Sequence, residues 1–466
     1  MSMISDRLHI ILITIDCLRA DYNSVLSDAI RSFLEEKGYY MFRLAFANGP
    51  GTNQSFPSIF SSTPFLLHGD LRLHSSIKTL AQILRERGYY TVGFHSNPFL
   101  SSKLGWGRGF VEFYDFLNKI GGPAAMAVKA RGIKRTTFKL MGKFLRGSSR
   151  RLWTRINKFY YKLKGARLPY IEARELNNYV ISWLKRYNQE KPLFLWIHYM
   201  DTHTPFAPPY PWLEGFNSRE EAILFNYTLD PEKPKDKDVE KLRKLYEGEV
   251  KYVATALSEL MSFLQDQGLL ESALLIATAD HGEAFMEHGK LGHVYDALYN
   301  EVLHVPLIIS GLEEDGVVEK PIQLMDLAPT ILEVLRIERP RTFMGLSLYP
   351  LLHGEESSAS PIFSESAMPD LINLRYDTSR FVVSVIYGRW KLIYDLIHSR
   401  EPKMELYDLQ KDFSERINLI NDNPDIAKYL FKLIENHLRE IEAKKIVYEK
   451  LNKIRNNLDI FKYKSI

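Results

Sequence analysis

Uninterrupted apolar runs bounded by polar residues recur along the chain, at 9–15 (His-Ile-Ile-Leu-Ile-Thr-Ile), 192–199, 273–278 and 305–311. Runs of this length without polar alternation read as strands buried on both faces, as in a largely parallel sheet covered by helices. Between them, apolar positions fall at helical spacing over 76–84 (stopping at Gly88), 172–187 and 239–265. Residues 90–94 form a further strand, so the chain keeps a β-α-β rhythm. Residues 216–238 are loop-rich and acidic, a rim to the sheet. Residues 322–335 read as a helix opening near Asp326, whose carboxylate serves capping and packing. Beyond about residue 360 the pattern turns to strands at 381–387, 390–394 and 404–409, then a basic helical tail from Pro424. The pattern predicts an α/β protein, with a large domain over 1–360 and a small C-terminal α+β subdomain over 361–466.

The strand ends carry the candidate chemistry, because open α/β sheets place their ligand crevices there. The run 273–278 leads into Ala279-Asp280-His281-Gly282-Glu283. Asp280 and His281 offer one hard oxygen and one imidazole nitrogen, a pair suited to a divalent transition metal. Gly282 lets the backbone turn away without a Cβ penalty. Taken alone, the same residues also make an ordinary turn. The first strand ends at Asp16, which either faces the crevice or caps a helix. The strand 192–199 delivers Asp201 and His203. His203, before an extended Thr-Pro segment, is the better placed to face a ligand, whereas His198 lies inside the strand and reads as a core histidine. The loop 48–54 passes into Ser55-Phe56-Pro57-Ser58, where Pro57 fits the first turn of a helix. Ser55 would then sit in the positive field of a helix N-terminus, as nucleophile or as plain N-cap. Thr52, in the same loop, is the rival nucleophile.

Composition narrows the setting. With 466 residues, 45% hydrophobic and 25% charged, the chain is ordinary for a globular protein. The single cysteine, Cys17, excludes a disulfide framework and a cysteine-based zinc site. Without a spanning apolar stretch or a signal-peptide layout, the expected location is cytoplasmic, possible membrane contact being peripheral. The net charge of +4 says little, but residues 119–167 hold fifteen Lys or Arg and no Asp or Glu. Apolar residues interleave there at near-helical spacing, including Phe138, Met141, Trp153 and Ile156. Such a basic amphipathic insertion suits an anionic membrane surface, a polyanionic substrate or a solvated lid. No nucleic-acid-binding module is evident, and no nucleic-acid partner is expected.

In their order, these segments resemble the sulfatase family of the alkaline phosphatase superfamily. The matching pieces are Ile15 to Asp21, Ser55-Phe56-Pro57-Ser58, and 198–205 with Asp201 and His203. They continue through 279–283, Glu287-His288-Gly289, His293, 305–309, 325–330, Gly345-Leu346-Ser347-Leu348, and Glu405-Leu406-Tyr407-Asp408-Leu409 with Asp412, Glu415 and Asn418-Leu419. The resemblance implies an alkaline phosphatase-like α/β/α sandwich with a mixed central sheet and a smaller C-terminal sheet. It implies one divalent metal held by Asp16, Asp280 and His281, and Ser55 as nucleophile. His203 and His293 would contact the transferred anion and leaving group, with Asp201 as a further substrate contact.

Two departures shape the functional expectation. Sulfatases whose nucleophile is oxidised to formylglycine carry Arg four residues after it; here that residue is Ile59, so formylglycine is not expected. Cys17 stands where many sulfatases place a second Asp for calcium. The remaining set is similar to the single-metal arrangement of phosphonate monoester hydrolases and phosphoglycerol transferases. A histidine ligand fits manganese or zinc better than calcium, with magnesium as a further candidate. The chain is therefore expected to be a metal-dependent sulfatase-family hydrolase cleaving sulfuric or phosphoric (di)ester bonds through a covalent Ser55 intermediate. Its substrate would be a small-molecule or glycan- or lipid-linked anionic ester. The alternatives are a phosphoglycerol-type transferase at a membrane surface and a non-catalytic binding protein that keeps the fold.

Overall fold

The apolar runs lie side by side at the centre of the computed structural model. It describes residues 8–121, 125, 128–129, 167–188, 190–312, 314–355, 360–370, 375–398 and 401–463. Most of the basic stretch 119–167, for which a membrane, polyanion or lid role is the expectation, falls outside the described residues. β1 (His9–Ile15) is buried throughout and lies between β5 (Leu193–Tyr199) and β6 (Ala273–Ala279), parallel to both. β3 (Tyr90–His95) and β4 (Glu112–Tyr114) extend the parallel array beyond β5. On the other side β7 (His304–Ser310) runs antiparallel to β6 and to β2 (Tyr39–Phe46). Short strands β8 (Gly316–Val318) and β9 (Ile322–Gln323) pair with β2. Among the described residues this makes a nine-stranded mixed sheet.

Two groups of helices flank the sheet. α1 (Asn23–Leu34) and the helix Ala173–Leu184 pack on the long helix Asp236–Asp266. α2 (Thr52–Ser61), buried at every position, packs with the helices Leu80–Glu86 and Leu327–Val334. The start at Leu80, later than periodicity suggested, follows from a capping box between Thr79 and Gln82. The expected loop 216–238 contains the helix Arg219–Thr228, whose cap is Ser218 Oγ accepting from Glu221 N at 3.2 Å. Its acidic first turn is what made the segment read as a rim. The helix expected from residue 322 starts only at Leu327, after β9 and a short turn.

A second, antiparallel sheet comprises β10 (Ile362–Asp370), β11 (Arg375–Tyr387), β12 (Trp390–Asp395) and β13 (Lys403–Asp408). The terminal helix Pro424–Tyr463 packs on it. Buried Glu365 joins the layers: its N–H donates to Asn48 O at 2.9 Å, its Oε2 accepts from Leu66 N at 2.7 Å, and its Oε1 meets His437 of the terminal helix.

Candidate active site

Parallel register brings the strand ends together. Ile15 lies opposite both Tyr199 and Ala279, so Asp16 and Asp280 leave the sheet side by side. Asp16 N still donates to Tyr199 O at 2.9 Å, and the chain then turns at Cys17, whose φ is 62°. Tyr246 fixes that turn by donating to Cys17 O at 2.8 Å while accepting from Arg19 N at 2.9 Å. After Asp280-His281, a Cβ on Gly282 would stand 2.4 Å from Glu301 O, so only glycine lets the loop pass there.

Asp16 is the hub of the cluster. Its Oδ1 faces Cys17 Sγ at 3.1 Å and His281 Nε2 at 3.5 Å. Its Oδ2 accepts from Asn97 Nδ2 at 3.0 Å and from Thr52 Oγ1 at 3.3 Å, with His198 Nε2 at 3.3 Å. Burial alone would raise this carboxyl, but His203, His198 and His281 hold it well below the usual carboxylate range. Asp280 goes the other way: burial and the neighbouring Asp16 push it up to about 7. Such divergence marks a buried pair of like charges, which a divalent cation would relieve.

His281 points to the same conclusion. Its Nδ1–H donates to Gly282 O at 2.9 Å, so Nε2 keeps a lone pair. Burial and nearby His293 keep the ring neutral, with its pKa lowered to about 4. Yet Nε2 faces Asp16 Oδ1 at 3.5 Å and Asp280 Oδ2 at 3.6 Å, and neither Nε2 nor Asp280 Oδ2 has a hydrogen bond among the described residues. A lone pair aimed at two carboxylate oxygens is repulsive unless a cation lies between them. Asp16, Asp280 and His281 therefore fit a divalent metal. His198 is buried as a core histidine would be, but its ring reaches Asp16 while Nδ1 lies 2.9 Å from Thr14 Oγ1. It braces the hub.

Two further histidines face this cluster. His293 Nδ1–H donates to buried Glu283 Oε2 at 2.6 Å. Burial opposes its charge, but Glu283 with Asp16 and Asp280 outweighs burial and lifts His293 to about 9. The His203 ring lies 5.0 Å from that of His293 and donates through Nδ1–H to Thr204 O at 2.6 Å. Arg19 ties the loop carrying His293 to the turn after β1, donating to Glu283 O at 2.9 Å and Glu287 Oε1 at 2.7 Å.

Two predicted site residues are placed elsewhere. α2 starts at Thr52, with Gly51 as its N-cap, so Ser55 is the fourth helical residue and Pro57 the sixth, outside the first turn. Ser55 Oγ is buried with no hydrogen-bond partner among the described residues, whereas Thr52 Oγ1 bonds to Asp16 and accepts from Asn97 Nδ2 at 3.3 Å. The positive end of the helix thus acts on Thr52. Asp201 turns away from the cluster: its Oδ1 accepts from Ala173 N at 2.9 Å at the start of the helix Ala173–Leu184. Asn97, Glu283 and Cys17 were not singled out as site residues. Asn97 had a findable signal, since it follows β3 at the same edge of the sheet.

The sequence model of the Sulfatase family matches residues 9–337, and that of the N-sulphoglucosamine sulphohydrolase C-terminal region matches 287–444. An arylsulfatase K of Danio rerio is 26% identical over 203 residues, covering 43% of this chain and 38% of that protein. The chain therefore spans well under two thirds of that relative. Among solved structures, a phosphonate monoester hydrolase of Agrobacterium radiobacter superposes with a TM-score of 0.64 at 17% identity, covering 94% of this chain and 96% of that one. A protein solved with its substrate D-glucosamine-2-N,6-O-disulfate gives a TM-score of 0.62 at 16% identity, covering 94% and 98%. At these identities the structural likenesses establish the fold.

Proposed function

Because the chain belongs to the sulfatase family, we propose that it is a metal-dependent ester hydrolase whose nucleophile is Thr52. The observation that carries this reading is the Thr52 hydroxyl, at the first residue of α2 and hydrogen-bonded to Asp16 between the carboxylate–histidine cluster and Asn97. Asp16, Asp280 and His281 would hold the metal. When bound, it supplies Lewis acidity that withdraws charge from the nucleophile and from a substrate oxygen. Thr52 Oγ1 attacks the sulfur or phosphorus, its proton leaving along the hydrogen bond to Asp16. The bond to the leaving oxygen breaks, and His293, positively charged at neutral pH, protonates that oxygen. His203 and the start of α2 stabilise the negative charge on the transferred group. Water then attacks the transferred group, giving a proton back to His293, and as the bond to Thr52 breaks the proton held at Asp16 returns to Thr52 Oγ1.

The side chain selects among substrates. Oxidation of a threonine yields a ketone and not an aldehyde, so the formylglycine route is closed at this position. Direct displacement remains, and a phosphodiester is the substrate class it suits best. Manganese or zinc is the favoured metal. The test is turnover of an aryl sulfate, an aryl phosphate monoester and an aryl phosphodiester by metal-loaded protein. Diester cleavage is expected to dominate; dominant sulfate cleavage would refute the phosphodiester assignment. Cleavage only with an added acceptor alcohol would move the reading to a transferase.

A further inference from the structure

The turn after β1 places a thiol beside the proposed metal ligands, and we infer that Cys17 Sγ is itself a ligand, making a thiolate-bearing centre that selects zinc. The inference rests on the reading of Asp16, Asp280 and His281 as the metal set. Donor atoms of Asp16, Cys17 and His281 all lie within 4.8 Å of one another. Four donors around zinc, at bonds of about 2.0–2.3 Å, stand roughly 3.3–3.8 Å apart along tetrahedral edges. Two of the separations match that spacing, 3.5 Å from Asp16 Oδ1 to His281 Nε2 and 3.6 Å from there to Asp280 Oδ2, while Cys17 Sγ stands at 3.1 Å from Asp16 Oδ1, within hydrogen-bond reach.

Independent features support the assignment. His281 Nε2 and Asp280 Oδ2 are fully buried, lack hydrogen bonds among the described residues, and face the same cluster. Cys17 holds a φ of 62°, a conformation that side chains bearing a Cβ adopt at a cost, and in it Sγ meets Asp16. His293 Nδ1, which carries the hydrogen it donates to Glu283, lies 3.4 Å from Sγ, so the sulfur faces the same cluster. On ligation the thiol proton leaves to solvent as the sulfur–metal bond forms. One cysteine cannot by itself build the cysteine-based zinc site excluded above, but it can enter a mixed oxygen–nitrogen–sulfur set. A soft sulfur donor there discriminates for zinc against manganese and calcium.

The test uses the full chain, stripped of metal and reloaded with cobalt(II), with bound cobalt and near-ultraviolet absorption read together. The unmodified chain should bind cobalt and show a thiolate-to-cobalt charge-transfer band. Cys17→Ser should keep cobalt, lose the band, and give up zinc preference over manganese by on the order of ten- to a hundredfold. Bound cobalt without the band in the unmodified chain overturns the inference and leaves the metal reading standing. No cobalt uptake, or unchanged uptake in Asp280→Asn, overturns the metal reading as well. The band in the unmodified chain decides the matter even if Cys17→Ser fails to fold.

Discussion

Two strand ends at the same edge of one sheet have opposite fates. β1 and β6 each end directly in a carboxylate, and parallel register sets Asp16 against Asp280. β5, on the other side of β1, ends in Met200 at the equivalent position and places Asp201 one residue later. That offset turns Asp201 to the start of a helix, where it satisfies Ala173 N. All three are fully buried carboxylates at the end of a central parallel strand. Topology chooses the edge, and a single residue of register decides between the carboxylate–histidine cluster and a helix start.

Breaking the two ends should have different consequences. Asp280→Asn removes a proposed metal donor and should lower kcat/KM by about a thousandfold or more, measured with reloaded metal. His293→Gln removes the proposed proton donor and should slow turnover by roughly a hundredfold. That loss should shrink with leaving groups that need no proton, which a series of substituted aryl esters would reveal. Asp201→Ala should leave the carboxylate–histidine cluster intact and destabilise the fold by about 1–3 kcal/mol, because Ala173 N loses its buried acceptor. Denaturant unfolding measures it, and a loss of metal binding at that variant would contradict the distinction.

The smallest effect concerns the tie between the two loops. Burial alone would raise Glu287, but Arg19 holds it down to about 2, below its ordinary 4.5. A carboxyl depressed in the folded state contributes stability above the unfolded pKa and loses it as pH falls toward the folded one. The native chain should therefore lose stability between pH 4.5 and about 2 more steeply than Glu287→Gln, read from unfolding curves across that range.

Much of this was legible in the sequence because buried parallel strands announce themselves as unbroken apolar runs. β1 and the core of β6 follow from the pattern of apolar runs, and with them the position of Asp16, Asp280 and His281 at strand ends, while a helix cap or an ordinary turn stays open for them until the family resemblance is weighed. The start of α2 was not legible. Ser-Phe-Pro-Ser looks like a helix entrance, but the helix begins three residues earlier from Gly51, a weaker local signal whose effect depends on packing around Thr52. His198 was half legible: strand periodicity makes it core, yet its ring is long enough to reach the next strand's terminal carboxylate. Asp201 was misplaced because sequence order does not reveal which side of the edge a residue faces.

Thr52, and not Ser55, is the residue proposed to form the covalent intermediate. Acid-quenched turnover of an aryl phosphodiester by the unmodified chain, Thr52→Ala and Ser55→Ala, followed by mass analysis of the peptide carrying both positions, tests it directly. An adduct on Thr52 that persists in Ser55→Ala and disappears with activity in Thr52→Ala is the predicted result. An adduct on Ser55, or undiminished turnover by Thr52→Ala, would contradict it.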